Sequence, residues 1–109
     1  MSKVYDDLMA AFAGESQANR KYLAYAKKAE DEGQAQVARL FRAVAHAETI
    51  HALNHFRYAG EVGTTEENLK AAAEGEKYEN TEMYPEFIKN AEAEGDAKAK
   101  RSFHWANEA

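Results

Sequence analysis

Glu48 and His51 form a Glu-x-x-His pair. If helical, this spacing puts a carboxylate and an imidazole one turn apart on one face, within reach of a single cation. They interrupt a stripe that is otherwise mostly apolar: Val37, Leu40, Phe41, Val44, Glu48, His51, His55 and Tyr58. A second stripe, Leu8, Phe12, Glu15, Ala18 or Asn19, Tyr22, Ala26 and Ala29, holds Glu15 at mid-length, and a third, Leu69, Ala72, Ala73, Glu76, Glu79, Met83, Phe87 and Ala91, holds two carboxylates. Clustered buried carboxylates are costly unless neutralised, because each unpaired charge loses its hydration and each raises its neighbour's pKa. Lys21, Lys27, Lys28, Arg39 and Arg42 fall mostly on other faces, so a metal cation is the expected counter-charge. Hard oxygen donors mixed with imidazole favour iron or manganese over magnesium or calcium, with zinc as a substitute. A Glu from each of two helices with Glu-x-x-His from two more is the ligand plan of dimetal carboxylate bundles.

Helices must position these groups. Gly33, the stretch from Gly60 to Thr65, and Gly95 divide the chain into segments expected near Ser2 to Glu32, Ala35 to Ala59, Thr65 to Glu94 and Ala97 to the end. Thr64 or Thr65 suits the N-cap of the third, with Thr65 and Asn68 as an imperfect capping box. Pro85 falls inside that segment and predicts a kink or a local irregularity. The segments also repeat. At an offset of 61, Leu8, Ala10, Ala11, Gly14, Glu15 and Asn19 match Leu69, Ala71, Ala72, Gly75, Glu76 and Asn80. After one inserted residue near Pro85 the offset is 62, and Tyr22, Ala29, Glu30, Glu32, Gly33, Ala35, Arg39, Phe41 and Ala47 match Tyr84, Ala91, Glu92, Glu94, Gly95, Ala97, Arg101, Phe103 and Ala109. A duplicated helical hairpin is the expected architecture. The counterpart of Glu48 would follow Ala109, which predicts a last helix cut short.

Composition narrows the function classes. A chain of 109 residues has room for one domain, and its single Pro and 45% hydrophobic content suit an all-α fold. With no Cys, disulfides, thiol nucleophiles and iron-sulfur ligation are excluded. No run approaches the roughly 18 apolar residues of a membrane span, and residues Met1 to Asp7 do not read as a signal peptide, so a cytoplasmic protein with no membrane partner is expected. A net charge of −5, with basic residues scattered, gives no footprint for nucleic acid.

Three runs resemble the rubrerythrin family: Ala13 to Leu23 (AGESQANRKYL), Ala47 to Ala52 (AETIHA) and Glu74 to Phe87 (EGEKYENTEMYPEF). The resemblance extends over essentially the whole chain. It implies one ferritin-like four-helix bundle over residues 1–109, built from two duplicated hairpins, with domain swapping as an alternative arrangement. It implies two iron ions held by Glu15, Glu48, His51, Glu76 and Glu79, a ligand exchange at Glu79 as the iron changes oxidation state, and catalytic Tyr22 and Tyr84 beside the site. The activity implied is reduction of hydrogen peroxide to water in oxidative-stress defence, by a homodimer or higher homo-oligomer. No four-Cys rubredoxin-like domain is present, so electrons are expected from an external donor such as a rubredoxin-like protein. The competing expectations are a ferritin-like iron oxidase and an inactive helical fragment. Of the remaining side chains, His55 reads as a packed or ligand-supporting imidazole, His46 and His104 as structural or exposed, and Phe41, Phe103 and Trp105 as packing. Glu30, Asp31, Glu32, Glu92 and Glu94 read as solvated acidic helix ends.

Overall fold

The computed structural model describes residues 2–108, which are helical apart from short connections. Helix α1 spans Lys3–Asp31 and α2 Ala35–Tyr58; α3, Thr65–Tyr78, continues through a π-helical turn, Glu79–Met83, into α4, Tyr84–Glu94, and α5 spans Ala97–Glu108. No strand occurs among the described residues, and none of their helices is long and apolar enough to cross a membrane. Two compact units result, Met1–Val62 and Gly63–Ala109. In the first α1 packs on α2, and in the second α5 packs on α4 and the π turn. Ala109, the expected match of Ala47, lies outside the described residues.

The helix ends follow from local chemistry. Ser2 caps α1 by accepting the Tyr5 N–H at 3.0 Å. Helices α1 and α4 end alike: Gly33 and Gly95 take φ of +76° and +71°, which a residue with a Cβ resists. Each turn closes with the same bond, Gln34 N–H to the Ala29 carbonyl at 2.8 Å and Asp96 N–H to the Ala91 carbonyl at 2.9 Å. The capping box of α3 lies one residue earlier than the expected Thr65 and Asn68. Thr64 Oγ1 accepts the Glu67 N–H at 3.2 Å, and Glu67 Oε1 accepts the Thr64 N–H at 2.9 Å. Asn68 instead ties the Gly63 backbone, accepting its N–H at 2.8 Å and donating to its carbonyl at 3.1 Å.

The irregularity expected at Pro85 is the π turn just before it. Pro85 has no N–H for the carbonyl of Thr81, so the α-helical ladder is already broken there, and the Tyr84 N–H reaches back to the Glu79 carbonyl. A π turn winds one extra residue into a helix without unfolding it. The repeat offset moves from 61 to 62 between Asn80 and Tyr84, inside this turn, so the inserted residue is absorbed as the π turn.

The seam of the first hairpin is narrower than the expected stripe. Ala38, Ala45 and Ala52 are buried at seven-residue spacing on α2, opposite buried Ala26 and Ala29 on α1. Small side chains let the helices approach closely, so the contact line runs through alanines and the half-buried Phe41, Glu48 and His55 three residues beyond each. Val37, Leu40 and Tyr58, expected on the buried stripe, flank this seam and are exposed. Leu69 and Phe87 of the third stripe are exposed too, as is Trp105, at 68%, which corrects its reading as a packing residue.

The two units repeat each other down to individual contacts. Tyr22, Tyr25 and Phe41 form a ring cluster with centroid distances of 6.2, 6.0 and 5.5 Å. Their repeat partners Tyr84, Phe87 and Phe103 form another, at 6.1, 6.2 and 5.4 Å. Asn19 Nδ2 donates to the Ala45 carbonyl at 2.7 Å, and its match Asn80 donates to the carbonyl of Asn107, the equivalent of Ala45, at 3.1 Å.

Candidate metal centre

Glu15 sits mid-way along α1 on the line Phe12, Glu15, Asn19, Tyr22, Ala26 that faces α2. Glu48 and His51 face it from α2. His51 Nδ1 lies 2.9 Å from Glu15 Oε2 and 3.8 Å from Glu48 Oε1. One donor atom from each of the three lies within 4.8 Å of the others, close enough to share a cation. The Glu48 side chain is 15% exposed, Glu15 29% and His51 54%, so the cluster is held in the seam and opens on the His51 side.

The two carboxyl groups share a hydrogen bond, which splits their titrations. It holds Glu15 below the ordinary carboxylate range, helped by His51 and by the charge of His55, against partial desolvation. The same bond pushes Glu48 up, reinforced by desolvation and the Glu15 charge. A metal ion bound between them would favour the ionised form of both. Two carboxylates and an imidazole that already converge fit iron. His55 is half-buried and close enough to Glu15 to influence its titration, which suits a ligand-supporting imidazole, while His46 and His104 are exposed.

The second unit holds the other two expected carboxylates. Glu76 and the half-buried Glu79, the first residue of the π turn, line a cavity of about 310 Å³ with Asn80, Tyr84 and Asn107. Tyr84 thus borders Glu76 and Glu79. The Tyr22 ring lies in the first aromatic cluster, on the stripe of Glu15. Two polar residues escaped the sequence reading as functional. Asn19, besides its bond to Ala45, donates to Thr49 Oγ1 at 2.7 Å, fixing α1 against α2 one turn from Glu15. Asn80 holds α5 in the same manner through Asn107. The available signal was the pairing of Asn19 with Asn80 in the repeat. The acidic helix ends are partly neutralised: Glu30 pairs with Arg42 at 2.8 Å, Glu32 with Lys28 at 3.4 Å and Glu92 with Lys100 at 3.6 Å.

The rubrerythrin family model matches residues 6–109. The chain is 38% identical to Rubrerythrin-2 of Clostridium acetobutylicum, over 95% of this chain and 64% of that protein. It is 42% identical to Rubrerythrin of Porphyromonas gingivalis, over 86% and 54% of the two chains, and 40% identical to Nigerythrin of Nitratidesulfovibrio vulgaris, over 90% and 55%. It therefore spans roughly 54–64% of the length of these relatives. Among solved structures, fully reduced, all-ferrous nigerythrin matches with a TM-score of 0.53 at 37% identity, covering 100% of this chain and 61% of that one. The fold is all-α and ferritin-like, and the chain belongs to the rubrerythrin family.

Proposed function

We propose that this chain carries the iron site of a non-haem diiron peroxidase, reducing hydrogen peroxide to water in defence against oxidative stress. The observation that supports it most is the convergence of Glu15, Glu48 and His51 to within 4.8 Å in a rubrerythrin-family chain. These three hold iron in the first unit, and Glu76 and Glu79 are the carboxylate ligands of the second. When bound, two ferrous ions supply the two electrons that, with two protons, turn one hydrogen peroxide into two waters.

The chain's own groups bind and manage protons. Glu15, held low, ionises more readily than Glu48, held high, so iron affinity rises with pH through the Glu48 titration. Tyr84 places a phenol beside Glu76 and Glu79, where it orients peroxide by hydrogen bonding, and Tyr22 has the corresponding role in the first hairpin. Asn19 keeps the Glu15 and Glu48 backbones in register. Electrons return from an external donor such as a rubredoxin-like protein, and the protein works in the cytoplasm as a homodimer or larger homo-oligomer.

The test is anaerobic ferrous loading, removal of loose metal, and titration with peroxide while ferric absorbance is followed. Two irons oxidised per peroxide consumed supports the peroxidase. Oxidation faster with dioxygen, with ferric iron accumulating as a mineral, would instead indicate an iron oxidase, and a chain that retains no iron would overturn the reading.

A further inference from the structure

Two of the groups that line the cavity of the second unit are departures from the duplicated frame. Glu79 stands where the first hairpin has Ala18, and Asn107 where it has buried Ala45. A hairpin closes without a polar side chain at either position, since the first one does. Asn107 is half-buried on α5, and its backbone carbonyl and its Oδ1 accept from Asn80 Nδ2 at 3.1 and 3.0 Å. These bonds fix which way both carboxamides face. A main-chain carbonyl can only accept, so the Asn80 atom toward it is the nitrogen, and the Asn107 atom toward that nitrogen is the oxygen. Fastening α5 therefore uses only the oxygen end of the Asn107 side chain. In the first hairpin the corresponding acceptors for Asn19 are the Ala45 carbonyl and the Thr49 hydroxyl, and no carboxamide is present on α2 there. The Asn107 NH2 is thus a donor that the first hairpin lacks, on a side chain that borders Glu76, Glu79 and Tyr84.

We propose that Asn107 is a positioning residue for Glu79: its NH2 donates to one carboxylate oxygen of Glu79 and leaves the other oxygen to the metal. The inference rests on the reading of Glu79 as an iron ligand and adds the residue that orients it. Three observations select Glu79 as the acceptor. The two side chains line one cavity; Glu79 is half-buried whereas Glu76 is exposed; and Asn80, which turns the Asn107 amide, is the next residue after Glu79. Glu76 has its counterpart in Glu15, which has His51 Nδ1 at 2.9 Å and faces a hairpin with Ala45, so a carboxylate at that position does not call for an amide. Of the other donors at the cavity, Tyr84 matches Tyr22, which is present where Ala18 offers no carboxylate, and Lys77 is exposed. A carboxylate hydrogen-bonded through one oxygen presents the other in a fixed direction, and loss of such a partner typically costs about ten- to a hundredfold in metal affinity.

The experiment uses the full chain and two readouts. Ferrous affinity is measured anaerobically, by competition with a coloured chelator, for the wild type, Asn107→Ala, Glu79→Gln, Asn80→Ala and the two double variants that contain Asn107→Ala. Alanine is the residue the frame itself carries at Ala45, and circular dichroism checks that the helices are intact. The expected result is about tenfold lower affinity in Asn107→Ala, with no further loss when it is added to Glu79→Gln. A loss that persists in Glu79→Gln and disappears in Asn80→Ala would overturn the proposal and leave Asn107 as a fastener of α5 alone. The second readout is the side-chain amide resonances of the metal-free chain. Those of Asn107 are expected to move in Glu79→Gln and to stay in place in Glu76→Gln; resonances indifferent to Glu79→Gln would overturn the contact. The two readings fail separately. A wild type that binds no iron would overturn the peroxidase reading, while the amide resonances, which need no iron, still decide whether Asn107 holds Glu79.

Discussion

Superposed by the repeat, Tyr22, Tyr25 and Phe41 fall on Tyr84, Phe87 and Phe103, Asn19 falls on Asn80, and Gly33 on Gly95, with nearly the same contacts at each pair. Yet the first hairpin gathers Glu15, Glu48 and His51 into one cluster, while the second places Glu76 and Glu79 around a cavity and contains a π turn that the first lacks. Glu79 stands at offset 61 where the first hairpin has Ala18, and Asn107 stands at offset 62 where it has buried Ala45. Duplication preserved the groups that close a hairpin, which any copy needs. It diverged at positions that set the helix separation and the charge facing the site. Polar groups there are restrained by chemistry more than by packing: in the first hairpin His51 stands 2.9 Å from Glu15, and the two carboxyl titrations move apart.

The sharpest way to separate the hairpins is Glu48→Gln. The Glu48 carboxyl is raised chiefly by its hydrogen bond to Glu15, so in the metal-free chain it contributes stability at low pH that is lost as pH rises through its folded value. Glu15 is lowered by the same bond and contributes stability above the ordinary carboxylate range, lost as pH falls through its own folded value. An amide at position 48 donates to Glu15 without a proton to lose. The variant is expected to retain about tenfold less iron or worse, while the metal-free chain melts at the same or a higher temperature at neutral pH. Glu76→Gln, at an exposed carboxylate, leaves the metal-free melting temperature unchanged. Calorimetry of metal-free samples checks both; a lower Tm for Glu48→Gln would show that the carboxyl pair stabilises the hairpin by itself.

Next in size is the seam. Ala45 is 1% exposed in the seam between α1 and α2, so Ala45→Leu is expected to cost about 1–3 kcal/mol by overpacking. At the half-buried repeat position, Asn107→Leu is expected to cost less than about 1.5 kcal/mol, mainly through the lost side-chain bond to Asn80. Equal losses in urea denaturation would mean that the second hairpin is packed as tightly as the first.

Much of this was legible in the residues, for reasons that differ by element. The helix ends at Gly33 and Gly95 and the irregularity at Pro85 follow from backbone chemistry carried by single residues. The triad was legible because a Glu-x-x-His and a mid-stripe Glu break an apolar pattern. The position of the seam was not. Periodicity marks a wide face and favours its largest members, so Leu40 and Tyr58 counted toward the core, whereas close helix approach selects the smallest, Ala38, Ala45 and Ala52. Trp105 misled in the same way, as an apolar residue read as buried by type alone. Pattern also could not show that the inserted residue near Pro85 is wound into the helix, because a loop and a π turn leave the same gap in a repeat.

Smaller effects test how far the duplicated frame is shared. Asn19→Ala removes bonds to the Ala45 carbonyl and to Thr49, and Asn80→Ala removes bonds to the carbonyl and side chain of Asn107. Each is expected to cost about 1 kcal/mol, with Asn19 the larger because its bond to Ala45 is the more buried. Hydrogen exchange should place the lost protection in α2 for the first and in α5 for the second; loss spread evenly over the chain would break the one-to-one correspondence.

The least costly change concerns the caps. Ser2 and Thr64 each cap the first helix of a hairpin, and replacing either by Ala is expected to cost about 1 kcal/mol. They differ three residues on, where α1 has Tyr5 and α3 has Glu67. Glu67 is held below the ordinary carboxylate range, first by the Thr64 backbone N–H and then by its side chain. A lowered folded value means that the contribution of Glu67 is present above the ordinary carboxylate range and is lost as pH falls through that folded value. The Ser2→Ala loss should therefore be the same in acid and at neutral pH, whereas Glu67→Gln should destabilise α3 at neutral pH and make progressively less difference as the solution is acidified. Helicity followed by circular dichroism across that range decides it: a pH-independent Glu67→Gln effect would mean that the amide caps as poorly in acid as at neutrality, and that the box holds by geometry with no contribution from charge.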